Sequence, residues 1–155
     1  MVRRAYNDPG HAHFLTFSCF HRRQFLSNHR VRTWLVESID SARQAHDYAL
    51  WAYVFMPEHV HLLIHPCRDD YSISCILRDI KLPVARSWIA HLHKTRPIRL
   101  EQMKARQGKR VVHRLWQAGG GYDRNLFNWK HIERAVDYIE WNPVTRGLVS
   151  DSKEW

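Results

Sequence analysis

No run of apolar residues in this 155-residue chain approaches the about eighteen needed to span a bilayer. The opening stretch, Met1-Val2-Arg3-Arg4-Ala5-Tyr6-Asn7-Asp8-Pro9, has no apolar core of the kind that marks a protein for export. Six glycines and six prolines are too few for collagen-like or low-complexity material. Three cysteines, Cys19, Cys67 and Cys75, are an odd number without Cys-x-x-Cys spacing. That excludes a disulfide framework and a four-thiolate zinc site, and reads as free thiols in a reducing compartment. No period of 20–50 residues repeats, and no strand runs into a Gly-rich phosphate loop. The expectation is a soluble cytoplasmic protein with one domain over residues 1–155 and no membrane partner.

What the chain does have is positive charge. Lys and Arg number 24 against 15 acidic residues, for a net +9, and Arg outnumbers Lys by 18 to 6. Guanidinium is a planar fork that pairs with phosphate bidentately and stacks on bases. Seven Trp and six Tyr supply flat surfaces beside it. The combination points to a nucleic-acid partner. A basic soluble domain with no polyanion is the plainer alternative.

Residues His13–Phe20 are rich in β formers and read as a strand. From Asn28 to about Tyr48, Val31, Leu35, Ile39 and Ala42 recur at helical spacing, with Ser27 or Asn28 as cap. Leu50–Met56 and His59–His65 read as two strands of an antiparallel hairpin, separated by Pro57-Glu58 and stopped by Pro66. Ser72 to about His93 predicts a second helix, kinked or split at Pro83. Arg96–Arg110 reads as a helical extension or a mobile basic loop. Val111–Trp116 predicts a short strand and Gly119–Gly121 a flexible bend. A last helix is expected from about Lys130 to Asn142, ended by Pro143. This order predicts an α+β fold: a ferredoxin-like antiparallel sheet with helices on one face, plus a C-terminal helix.

Chemistry concentrates in two places. In a strand, His59 and His61 project from one face, and two adjacent imidazoles can chelate a divalent ion. With twelve histidines in the chain, a chance His-x-His is the competing explanation. Tyr138 and Asn142 lie four apart on the last helix, hence on one face. Read alone, they are equally a core-edge tyrosine and a helix-ending asparagine. Read together with the histidines, they form a nicking site for nucleic acid. An ion held by two imidazoles and an amide oxygen would polarise a phosphodiester, and a phenol one turn away could attack phosphorus. A ligand set without thiolate suits Mg²⁺ or Mn²⁺, although imidazole also accepts zinc.

Met56-Pro57-Glu58-His59-Val60-His61-Leu62-Leu63 resembles the His-hydrophobic-His motif of the HUH-superfamily single-tyrosine transposases. Leu115-Trp116-Gln117, Gly121-Tyr122-Asp123-Arg124 and the stretch Asp137–Val149 resemble the second half of REP-associated tyrosine transposases. The resemblance spans roughly residues 5–150. It implies His59, His61 and Asn142 as metal ligands and Tyr138 as the catalytic nucleophile. It implies cleavage and rejoining of single-stranded DNA, often in the imperfect hairpins of repetitive extragenic palindromes. Members of the family often carry Asn where this chain has Glu58, a change outside the implied ligand set. The tyrosine helix of related enzymes can come from a partner subunit, so monomer and dimer both stand.

Tyr122, just after the triple glycine and assigned to a loop, is the rival nucleophile, or else a base-stacking aromatic. Arg22, Arg23, Lys81, Arg86, Arg114 and Arg124 are candidate phosphate contacts; each is equally a solvated surface charge. Trp51 and Trp116 could stack on bases or belong to the core. His65 should face the same side as His61. Two further readings remain: a non-catalytic module that binds hairpin DNA or RNA, and a small metallohydrolase of soluble phosphoesters.

Overall fold

A computed structural model describes residues 7–155. Its core is one four-stranded antiparallel sheet. The strands are β1 (Ala12–Ser18), β2 (Tyr48–Phe55), β3 (His59–Pro66) and, past a small hairpin, β6 (Tyr122–Leu126). They stand in the order β2-β3-β1-β6, with β1 and β3 central. Helix α1 (His29–His46) connects β1 to β2, and helix α2 (Ile73–Thr95) follows β3. This is the ferredoxin-like α+β arrangement expected. Helix α4 (Trp129–Thr145) follows β6 and lies across the sheet.

Strand alternation decides what each face carries. Leu15 and Phe17 of β1, with Val60, Leu62 and Ile64 of β3, face α1 and α2. They meet Leu35, Ile39, Ile76, Ile80 and Trp88 in the larger core. Each such side chain contributes roughly 1.5–3 kcal/mol on burial. The intervening residues face α4. There Ala12, Val54 and Leu63 meet Ile132, Ala135 and Ile139 in a second, smaller core. The histidines of β3 share this second face, so the sheet's alternation carries them towards α4.

Helix α1 starts where expected, with the Asn28 side chain accepting from the Arg30 backbone N–H at 3.0 Å. It ends at His46, two residues early, because Asp47 turns left-handed and Tyr48 joins β2. Helix α2 runs unbroken through Pro83 instead of splitting there. Proline withholds the N–H that the Asp79 carbonyl would accept. Ser38 of α1 supplies the replacement: its hydroxyl donates to the Asp79 and Ile80 carbonyls, at 3.1 and 2.7 Å. Trp116 adds an indole N–H to the Lys81 carbonyl at 2.9 Å.

The basic segment after α2 is neither a long helix nor an open loop. It forms a short helix α3 (Ile98–Glu101) and a hairpin of β4 (Lys104–Gln107) and β5 (Arg110–His113). The expected strand over Val111–Trp116 shrinks to β5, and the fourth strand of the main sheet is β6, with Tyr122 in it and not in a loop. Helix α4 continues past Pro143 to Thr145 and then turns at Gly147, whose φ is 68°. Asn142 therefore lies inside the helix, where it is buried. Among the described residues no helix is long and apolar enough to cross a membrane, and all three cysteines are free.

Candidate active site

The site is built where β3 and α4 meet. His59 and His61 are 5% and 4% exposed, on the sheet face covered by α4. Their Nε2 atoms stand 3.0 Å apart. The other nitrogen of each ring is held. His59 Nδ1 lies 3.0 Å from Glu58 Oε1, and His61 Nδ1 2.7 Å from the Thr16 hydroxyl. Thr16 sits directly opposite His61 in the β1–β3 ladder, so sheet register sets this contact. A carboxylate only accepts, so His59 carries its proton on Nδ1 and leaves Nε2 as a bare lone pair. The Thr16 hydroxyl accepts or donates and therefore serves either tautomer of His61.

Burial lowers the affinity of both rings for a second proton. His61 is pushed down to about 4, by desolvation first and then by the neighbouring His59. For His59 desolvation also leads, opposed by the Glu58 carboxylate. Both rings are neutral at neutral pH, the form that binds metal ions.

From the helix side, Asn142 Nδ2 reaches 3.5 Å from His61 Nε2. Among the described residues the buried Asn142 Oδ1 has no hydrogen-bond partner. A half-turn of the amide places this oxygen where the nitrogen stands, facing the same histidine. One helical turn earlier, the Tyr138 ring lies edge-on to His61, with centroids 5.2 Å apart, and edge-on to Phe14 at 5.8 Å. Phe14 stacks on His61 at 5.4 Å, so the three rings form one cluster. Tyr138 is 52% exposed, so its phenol faces solvent beside a buried imidazole pair.

These donors fit a divalent ion. Neighbouring ligands of an octahedral ion with bonds near 2.1 Å stand about 3.0 Å apart. The buried amide oxygen supplies a lone pair that no other group among the described residues uses, and the His59 Nε2 lone pair is shared only with His61. Among the described residues no three His, Cys, Asp or Glu side chains converge. The set would be His59, His61 and the Asn142 amide.

Glu58 is the residue that sequence reasoning passed over. Its Oε1 accepts from Arg146 at 2.8 Å and Arg22 at 3.2 Å as well as from His59. Burial works to raise its pKa, but the bonds to His59 and Arg146 prevail and hold the carboxyl below its ordinary range. A carboxylate adjacent in sequence to a candidate ligand was the available signal. The Arg22 segment is strained to make this contact: His21 and Arg22 both have φ near 50°, costing roughly 1–3 kcal/mol each. Gln117 receives the His21 backbone N–H at 3.3 Å.

The remaining candidates divide by face. Tyr122 and Arg124 pair with Thr16 and Phe14 and so flank the site on β6, while Asp123 between them turns away to His13, at 2.8 Å. Arg23 is exposed beside Arg22. His65 shares the face of His61, as expected, and stacks on Trp51 at 4.9 Å. Lys81, Arg114 and Trp116 instead line a groove on the α2 side. Burial lowers the Lys81 pKa, and its ammonium donates to the Gly119 carbonyl at 2.9 Å. Trp116 is buried edge-on against Phe17, so it packs the core and offers no free face to a base. Arg86 is exposed on α2, remote from the histidines' face.

The profile of the IS200-like transposases matches residues 9–141, and the chain belongs to that family. Within it, the chain's likeness is to the REP-associated tyrosine transposases. It is 25% identical over 133 residues to a Haemophilus influenzae protein provisionally named as one, covering 81% of this chain and 70% of that protein. A solved REP-associated tyrosine transposase bound to a REP hairpin superposes with a TM-score of 0.72 at 23% identity, covering all of this chain and 79% of the other. A Deinococcus radiodurans protein provisionally named as a transposase superposes with a TM-score of 0.53 at 18% identity, covering 91% and 97%. The two superpositions establish a shared fold.

Proposed function

We propose that the chain cleaves and rejoins single-stranded DNA, folded as REP-like hairpins, through a covalent phosphotyrosine on Tyr138. The observation that carries this reading is the meeting of the exposed Tyr138 ring with the buried His59–His61–Asn142 cluster. The family and the hairpin-bound neighbour supply the substrate class.

Tyr138 Oη attacks the scissile phosphorus while the bond from phosphorus to the 3′-oxygen breaks. The DNA 5′-phosphate is then joined to the phenolic oxygen, and the proton lost by the phenol ends on the departing 3′-hydroxyl. One phosphoester replaces another, so attack by a 3′-hydroxyl reverses the step without ATP. His59, His61 and Asn142 would hold the divalent ion, Mg²⁺ or Mn²⁺. When bound, that ion polarises a phosphodiester oxygen. Glu58 and Thr16 orient the imidazoles by holding their far nitrogens. Phe14 and Tyr138 pack against His61 and help to bury it.

Labelled hairpins from the protein's own genomic flanks, incubated with Mg²⁺, test the reading. Nicking that stops on addition of chelator supports it. Binding without nicking in Mg²⁺, Mn²⁺ and Zn²⁺ alike would reduce the chain to a hairpin-binding module.

A further inference from the structure

Beside Tyr138, on the side away from the histidines, β6 and α4 enclose a cleft of about 270 Å³. Its size is near the lower end of small-ligand sites, roughly 300 Å³. Phe14, Leu126 and Ala135 line it with apolar surface, and Arg124 and Arg134 stand at it from opposite elements. Both arginines are exposed, and among the described residues neither forms an ion pair. Elsewhere arginines do find acids: Arg22 and Arg146 share Glu58, Arg43 holds Asp40 and Arg78 holds Asp79. Arg134 is one turn before Tyr138 on α4, so both lie on one face with Ala135. Arg124 is fixed opposite Phe14 by the β1–β6 register.

A cleft with an apolar wall and two guanidinium groups without acidic partners matches the two halves of a nucleotide. Bases gain from apolar and aromatic contact, and guanidinium groups pair with phosphate. We propose that this cleft takes one unstacked nucleotide of the DNA strand next to the scissile phosphate. The base enters between Phe14 and Ala135, and the flanking phosphates lie on Arg124 and Arg134. The site rests on the single-stranded DNA reading above and adds to it a means of fixing the strand against Tyr138. A base drawn into the cleft places the adjoining backbone at the phenol.

The test is binding by fluorescence anisotropy in chelator, where no cleavage occurs. Two probes are used: a hairpin from the genomic flank with its single-stranded extension, and the same hairpin cut flush. The Arg124→Ala/Arg134→Ala variant should bind the extended hairpin about tenfold more weakly and the flush one within about twofold of wild type. Its log–log salt slope on the extended probe should fall by roughly 1.4, the contribution of two single-strand phosphate contacts. In an abasic scan of the extension, one position alone should weaken wild-type binding. Unchanged binding by the double variant, equal loss on both probes, or an abasic scan without a sensitive position would overturn the cleft. Failure of the wild type to bind either probe would instead sink the DNA reading itself. Both arginines are exposed, and a matching urea midpoint checks that the variant folds.

Discussion

The Nε2 atoms of His59 and His61 face each other at 3.0 Å, while Glu58 and Thr16 hold the opposite nitrogens of the two rings. Two neutral imidazoles keep that separation by sharing one proton or one cation. A Mn²⁺ titration followed by electron paramagnetic resonance should show one site in the wild type and none in His59→Ala. Glu58→Ala should weaken it by about 10–100-fold, because the ring that Glu58 orients is freed. Unchanged affinity in Glu58→Ala would deny it a positioning role.

Gly121 sets the start of β6 against β1. Its φ is 82°, and a Cβ there would run into the Thr16 carbonyl oxygen. Gly121→Ala should lower stability by roughly 1–3 kcal/mol. Gly120→Ala, with open space around it, should stay within about 0.5 kcal/mol. Urea midpoints decide; equal effects at the two positions would contradict the account.

Ser38 and Pro83 should be energetically coupled. Ser38→Ala leaves the Asp79 carbonyl without its side-chain donor and should cost roughly 1–3 kcal/mol. In a Pro83→Ala background residue 83 regains its N–H, and the same change should cost less. A double-mutant cycle measures the difference, and a coupling of zero would rule out the repair.

Thiol chemistry should separate the cysteines. Burial raises the Cys19 thiol to about 12, so it stays protonated at pH 8 and in the core. Cys67 is exposed. A disulfide reagent at pH 8 should label Cys67 within minutes and Cys19 only after unfolding. Equal native rates would show that the Cys19 strand opens.

Much of this site was legible in the sequence because its parts obey short-range periods. A period of two put His59 and His61 on one face, and a step of four put Tyr138 beside Asn142. The misses follow from longer-range forces. Tyr122–Leu126 has little strand character of its own and becomes a strand by pairing with β1. Asn142 should have ended its helix before Pro143, but its burial against the sheet carries the helix on. The β4–β5 hairpin did have a local sign: Gly108, with φ of 60°, begins a two-residue turn between Gln107 and Arg110. Basic residues on both sides obscured it. The link from Glu58 to Arg22 and Arg146 was not legible because those residues lie far from it in the chain.

The most direct test is to trap the protein–DNA adduct and sequence its modified peptide. Wild-type protein with a labelled genomic-flank hairpin and Mg²⁺ should yield a covalent band whose phosphorylated residue is Tyr138, and Tyr138→Phe should yield none while still binding the hairpin. An adduct that survives Tyr138→Phe and is lost in Tyr122→Phe would contradict the account.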